Sequence, residues 1–538
     1  MKISRRDLGL GTTAALASAC GGGDENELAT TPDGLHINYG QWRVLGSTDV
    51  LAIHAVLMPN GRVLFWGGSQ HDPNYPLGRT AVRQFNPDTN TVSNAADVPS
   101  NLDLFCSGHI LTPEGKVMVV GGNESYPQNV LHHGFSHFGG LKTTLYYNYT
   151  TNTWTQGPTM PRGRWYPSVS MTRNNEMIAL SGHPDLADPL HHNTDVYVRS
   201  NETSAWSNIG AVTPSDYYPR TFHESRTYIA TGEFGLNRYR GATQIGTWGN
   251  ANFTDPIYNG LACTGAMLPI RYNSSTDSWN STKAMLINGV QPIWKPLSTT
   301  ATDWTATPAR PQPWTGVNPQ VRNHAYATLL PTGDVFVSGG VQNTGSDGSN
   351  GTVDTSVYYS EIFRDDLQVW HVGQLATVRR NYHSVALLLP DGRVWTAGGN
   401  NNAGFAQTNQ PNGNGRELRI EVFEPWYYNL PQFTRPAITG WPGAMNADGR
   451  FYISCSHSDT IQKVVLIQPG SATHAFNFGQ KYIDLKIESR VTGQLNLRAS
   501  TDYNLLPRGW YMMFTLIPSG GNAAGPLIPS IGRWIRRT

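Results

Sequence analysis

One short unit recurs along this chain and limits what it can fold into: a Pro-x-Gly turn, an apolar run, then a closing pair of small residues that ends in glycine. Pro59-Asn60-Gly61 leads to Gly67-Gly68, Pro113-Glu114-Gly115 to Gly121-Gly122, Pro331-Thr332-Gly333 to Gly339-Gly340, and Pro390-Asp391-Gly392 to Gly398-Gly399. Worn copies run from Asn174-Asn175 to Ser181-Gly182 and end at Thr231-Gly232. Closing glycines fall 50 to 60 residues apart, except between 232 and 340, where two steps fit around Met285-Leu286-Ile287-Asn288-Gly289. Most units continue into an aromatic strand and a tryptophan: Tyr147 to Trp154, Tyr197 to Trp206, Tyr272 to Trp279, Phe363 to Trp370. The apolar positions lack the 3.6-residue period of a helical solenoid. Units of this length are the signature of four-stranded kelch blades. The spacing predicts an all-β chain with a seven-bladed kelch-type β-propeller over 35–428, its fifth unit degenerate, with Gln41–Leu45 closing the last blade.

The repeats stop after Phe423, and Glu424-Pro425-Trp426 begins a linker. Residues 429–538 alternate apolar and polar, as in Phe451–Ser454, Val464–Gln468, Tyr482–Glu488 and Trp510–Ile517. That pattern predicts an immunoglobulin-like (early-set) β-sandwich. Residues 1–34 read as an export signal and linker: Ser4-Arg5-Arg6 is of twin-arginine type, followed by the apolar run Leu8–Ala19 and Ala17-Ser18-Ala19-Cys20. The expected destination is the cell envelope, as a lipoprotein, or the periplasm or exterior, with membrane contact only through a lipid at Cys20. Net charge is +1 without a basic stripe, which excludes nucleic acid as a partner. Without Cys20, Cys106, Cys263 and Cys455 remain. That odd number in an oxidising compartment leaves one thiol free or modified and a Cys263–Cys455 pairing open.

Aligning the units on their turns exposes a second pattern. Nine residues before Gly115 stands Cys106; nine before Asn175, Tyr166; nine before Gly392, His383 beside Tyr382; nine before Gly333, His324. Equivalent positions of propeller blades share depth and radius, so these residues are expected to ring one end of the central channel. Imidazole and phenolate together suit Cu(II), which favours nitrogen and oxygen donors. Zinc also takes histidine, but two tyrosines and a cysteine suit it poorly. His132-His133, His137 and His191-His192 read as solvated loops.

Phe105-Cys106, Arg164-Trp165-Tyr166-Pro167-Ser168, Tyr382-His383-Ser384, Leu387–Gly392 and Ala472-Thr473-His474 resemble the galactose oxidase and glyoxal oxidase group of copper-radical oxidases. Arg164–Pro167 stands closer to the glyoxal oxidase branch. The resemblance covers roughly 35 to 538. It implies a thioether between Cys106 and Tyr166, a protein-derived cofactor that carries a radical. It also implies copper held by Tyr166, Tyr382, His383 and His474, and a catalytic set of Cys106, Tyr166 and Tyr382. Tyr382 would take the substrate's hydroxyl proton. A primary alcohol, or an aldehyde as its hydrate, would pass two electrons to O2 and yield H2O2. His474 is placed at the copper by the resemblance alone; its rival by register is His324, read as a support. Galactose oxidases stack a tryptophan over the modified tyrosine, but here that register reads Gly182-His183-Pro184. This favours small aldehydes or simple alcohols, with Phe105 a candidate cover for the ring. A small-molecule substrate, O2 and a monomer are expected, with cell-surface polysaccharide a further partner. The alternative is a non-catalytic kelch propeller that binds carbohydrate or protein.

Overall fold

The computed structural model describes residues 29–30, 36–37, 39–68, 80–99, 101–125, 131–132, 135–136, 139–172, 175–185, 193, 195–211, 217–224, 227–230, 242–245, 263–287, 289, 291–297, 305–311, 322–342, 356–400, 416–431, 434–522 and 525–538. The export signal with Cys20, the side chains of His132, His133 and His137, His191-His192 and the Thr231-Gly232 ending lie outside them. Residues 1–38 form a separate unit, in which Ala29–Thr30 pairs with His36–Ile37.

The described residues of 39–538 form an all-β fold. Among the described residues, the propeller-like part holds five four-stranded sheets, one of three strands and one of six. Each grows outward from an inner strand: His54–Leu57, Gly108–Leu111, Ser168–Met171, Arg220–His223, Thr264–Met267, Tyr326–Leu329 and Ser384–Leu388. Consecutive inner strands touch at every step but one, where Arg220 instead donates to Cys263 O just ahead of Thr264–Met267, and Ser384–Leu388 returns to His54–Leu57, so the arrangement is circular. The inner strands for which burial is resolved are buried along their whole length, as strands facing a filled channel must be. The repeated aromatics meet across the outer ladders: Tyr147 faces Trp154, Tyr272 faces Trp279 and Phe363 faces Trp370, with centroids 5.0–5.3 Å apart. Such cross-strand pairs contribute roughly 0.2–1 kcal/mol each. Gly40–Ser47 lies antiparallel to Arg419–Pro425, so the first strand of this unit completes the last sheet, as expected.

The C-terminal strands build an eight-stranded array. Tyr482–Val491 links its two parts: its first half pairs Lys463–Ile467 and its second half pairs Gln494–Arg498. Arg450–Cys455 alternates exposed and buried, which sets one face on a core of Ile453, Val464, Leu466, Ile483, Leu495, Tyr511 and Ile535. One excursion leaves this array. Ser471–Thr473 and Phe476–Asn477 form a hairpin whose first strand pairs with inner strand His54–Leu57, setting Thr473 opposite His54. The hairpin tip is His474-Ala475.

Cys263 and Cys455 do not pair: both are free thiols, and they belong to different cores, that of the channel and that of the C-terminal array. No helix among the described residues is long and apolar enough to cross a membrane.

Candidate metal centre

The register inferred from the repeats corresponds to one backbone event. Cys106, Tyr166, His324 and His383 all have left-handed φ, between 57° and 67°. Each stands one or two residues ahead of its inner strand. Side chains rarely adopt this conformation, which costs roughly 1–3 kcal/mol per residue and clusters at functional sites. The hooks are held in two ways. The closing glycines let the next unit's backbone approach: a Cβ on Gly68 would overlap Phe105, and one on Gly121 would overlap the Arg164 carbonyl. A buried arginine two or three residues upstream ties three of the hooks to their own sheets. Arg164 donates to Ser181 O and Asp195 O, Arg322 to Gly339 O and Tyr359 O, and Arg380 to Gly398 O and Arg419 O.

Tyr218 occupies the same place in the three-stranded sheet, with φ 48°, two residues before Arg220. Its unit lacks a Pro-x-Gly turn, so the sequence register passed over it. Its ring lies 4.8 Å from that of Tyr166 and 4.7 Å from that of His474, and its hydroxyl donates to Ser107 O.

These hooks converge with the hairpin tip. Tyr166 Oη is 2.5 Å from Tyr382 Oη and 3.1 Å from His474 Nε2. Cys106 Sγ lies 3.7 Å from His474 Nε2 and shares a side-chain hydrogen bond with Tyr166. The His383 ring lies 3.8 Å from the Tyr382 ring and 4.7 Å from that of His474. Donor atoms of Cys106, His383 and His474 fall within 4.8 Å of one another. All are buried except Tyr382, which is half-buried and gives the site its open side. His324 packs on Tyr382 at 4.9 Å, behind the cluster rather than among its donors.

Hydrogen-bond directions settle the His474 tautomer. Thr473 Oγ1 donates to Ile53 O at 2.9 Å, so its lone pair accepts the Nδ1–H of His474 at 2.7 Å. Nε2 then carries the free lone pair, aimed at Tyr166 and Cys106. Burial holds the imidazole pKa well below its usual value, with His383 and His54 adding to the effect, so the ring is neutral. Burial likewise pushes the Tyr166 phenol and the Cys106 thiol up, which keeps both protonated in the bare protein. A dication would reverse that preference for the phenol.

A second chain runs behind Cys106. Its backbone N–H donates to His54 Nε2, His54 Nδ1–H to His109 Nε2, His109 Nδ1–H to Ser471 Oγ, and Ser471 Oγ–H to His109 O. Burial lowers His109 to about 3, so it is neutral. Arg220 donates to Cys263 O, Tyr218 O and His474 O and so anchors the hairpin tip from below. None of His54, His109 or Arg220 stood out in the sequence, because each lies in or beside a strand without a motif, and Thr473 entered only as part of the Ala472-Thr473-His474 match.

The aromatic cover differs from expectation. Phe105 packs edge-on against His383 at 5.8 Å rather than against Tyr166. The Tyr166 ring is flanked by Trp165 at 4.1 Å and Tyr217 at 5.0 Å. His183, in the place of the absent tryptophan, stacks on Tyr217 at 4.8 Å and hydrogen-bonds its hydroxyl. Two imidazoles and two phenols around one point match the tetragonal nitrogen and oxygen set of Cu(II), so the residues fit a copper ion.

Two family models and several curated relatives match parts or most of this chain. Residues 275–427 match the model of the glyoxal oxidase N-terminus, and residues 435–536 that of the galactose oxidase-like early set domain. The first match includes His324, Tyr382 and His383, the second His474. Galactose oxidase of Gibberella zeae is 24% identical over 93% of this chain and 71% of its own length. Aldehyde oxidase GLOX of Vitis pseudoreticulata is 30% identical over 39% of this chain and 40% of its own. A fungal alcohol oxidase solved in complex with copper shares the fold with a TM-score of 0.69 at 18% identity, covering 93% of this chain and all of that one.

Proposed function

We propose that this chain, a relative of the galactose oxidase and glyoxal oxidase group, is an exported copper-radical oxidase. In this reading Tyr166, Tyr382, His383 and His474 hold one copper ion, and a thioether joins Cys106 to Tyr166. The reaction is RCH2OH + O2 → RCHO + H2O2, or the same two-electron loss from an aldehyde hydrate to give a carboxylic acid. The observation that carries the proposal is the short Tyr166–Tyr382 hydroxyl contact, with a neutral His474 and the Cys106 sulfur beside it.

When bound, copper supplies a one-electron acceptor; the second acceptor is the Tyr166 ring. Tyr382, on the open side, takes the substrate's hydroxyl proton. The Tyr166 oxygen, as a radical, takes the hydrogen atom from the adjacent carbon. Trp165 and Tyr217 wall this side, shielding the ring from water and leaving room for a small aldehyde or simple alcohol rather than a sugar. Seven kelch-type blades over 35–428, a sandwich over 429–538, the export signal and a lipid at Cys20 belong to the same proposal. The circular order of inner strands supports the first of these.

Cys106, His383 and His474 also make a His2Cys set, that of an electron-transfer copper centre. One experiment separates the readings. After copper loading under air, intact mass should fall by about 2 Da, the two hydrogens lost in an oxidative cross-link, and the protein should release peroxide from small aldehydes or alcohols. Cys106→Ser should abolish the mass loss and most of the peroxide. Wild-type peroxide output from that variant would overturn the assignment.

A further inference from the structure

A cavity distinct from the metal centre lies among the inner strands and the hairpin, lined by Met171, Phe222, His223, Met267, Asn477 and Lys481. It measures about 40 Å3, room for about three water molecules. Its walls are mostly apolar; its polar groups are unusual. Lys481 is 4% exposed, in a chain with eight lysines. Lysines are almost never fully buried unless paired. Lys481 Nζ donates to one backbone carbonyl, Asn504 O at 3.1 Å, and among the described residues no carboxylate lies within ion-pair distance of it. Glu224 and Asp502 act on it only through their field. Glu224 accepts hydrogen bonds from Ser281 and Thr282 instead. Asn477 Nδ2 is buried in the same wall and has no acceptor among the described residues. Asn477 Oδ1 is already used by the Ser471 and Gly479 amides, so the carboxamide orientation is fixed. His223 Nε2 meets Ser170 Oγ, and an imidazole carries no negative charge to offset an ammonium.

Two side chains that carry N–H donors thus line one cavity of a few heavy atoms, one of them an amine on a flexible stem. We propose that this cavity is a second small-molecule site, which captures two- or three-carbon aldehydes as an imine on Lys481, with Asn477 Nδ2–H donating to the carbonyl oxygen. The neutral amine nitrogen adds to the carbonyl carbon, and a proton moves from nitrogen to oxygen to give the carbinolamine. Loss of that oxygen as water forms the C=N bond. No oxidant or reductant is consumed, and hydrolysis reverses the step. Burial lowers the Lys481 ammonium to about 8, so a useful fraction of free amine exists at neutral to mildly alkaline pH. The site does not depend on copper or on the oxidase reading. An aldehyde-forming enzyme would give it a ligand.

The test uses the full-length folded protein, propionaldehyde as probe and sodium cyanoborohydride to reduce any imine to a stable propyl amine, followed by peptide mapping. At low aldehyde, propylation should concentrate on Lys481 ahead of the exposed lysines, by at least about tenfold over the same chain unfolded in guanidinium. Saturation with aldehyde concentration is expected at Lys481 alone. Asn477→Leu should weaken that saturation. Uniform labelling of surface lysines with Lys481 protected would overturn the proposal. Because the folded wild type is itself mapped, this result is decisive even where variants misfold. Failure here would leave the copper reading untouched, since peroxide release and the cross-link mass are measured separately.

Discussion

Replacing Thr473 with valine tests the logic of the site with one methyl-for-hydroxyl exchange. The side chain is fully buried, and valine has nearly the same shape, so packing is conserved. What disappears is a two-ended link: the donor to Ile53 O at 2.9 Å and the acceptor of His474 Nδ1–H at 2.7 Å. Each buried group left without a partner costs about 1–3 kcal/mol, so with two of them the folded state should lose about 2–6 kcal/mol. The imidazole also loses the bond that fixes its tautomer and points Nε2 inward. Partners of this kind are worth roughly 10- to 100-fold in metal affinity. The measurements are urea unfolding of the metal-free protein and copper affinity by chelator competition. Destabilisation should appear without copper, and the affinity loss should exceed anything the stability change explains. A variant with unchanged copper affinity would refute the claim that Thr473 orients His474.

Other outcomes follow from the same contacts. Arg220→Lys keeps the charge but not the fork that reaches Cys263 O, Tyr218 O and His474 O. It should lower the thermal midpoint and weaken copper binding together, and binding that survives intact would remove Arg220 from the site. Glu361 is buried between Arg310 and Arg322, at 3.0 and 2.7 Å; Glu361→Gln should cost about 3–5 kcal/mol in a denaturation curve. Burial alone would raise its pKa, but the two guanidiniums outweigh it and the net shift is down from 4.5. Its stabilisation is therefore complete above about pH 4.5 and lost as pH falls through the lower folded value. The glutamine variant should lack that part of the acid limb of the stability–pH curve.

The repeat was legible because its glycines answer a local demand: a turn, then a backbone free of Cβ where the next hook is seated. The same demand made Cys106, Tyr166, His324 and His383 readable as one register, since all four share the left-handed step before an inner strand. Tyr218 makes the same step ahead of a turn that has no glycine, so spacing could not find it. His474 comes from a hairpin outside the repeat, and only family likeness pointed to it. The His54–His109–Ser471 chain and Arg220 act through hydrogen bonds across distant strands, which leave no spacing in the sequence. Phe105 looked like the ring cover because it neighbours Cys106 in the chain. The hook turns it toward His383, and Trp165 with Tyr217 takes that role.

The hairpin at Ser471–Asn477 has a consequence for the order of events during synthesis. Cys106, Tyr166 and both residues at 382 and 383 leave the ribosome well before residue 474, yet the last nitrogen donor arrives only after the early-set array has begun to form. A nascent ring, even if closed by Gly40–Ser47 against Arg419–Pro425, holds the Cys106 sulfur, the two phenols and His383 but not His474. On the copper reading, the full donor set would be complete only when the chain is nearly finished.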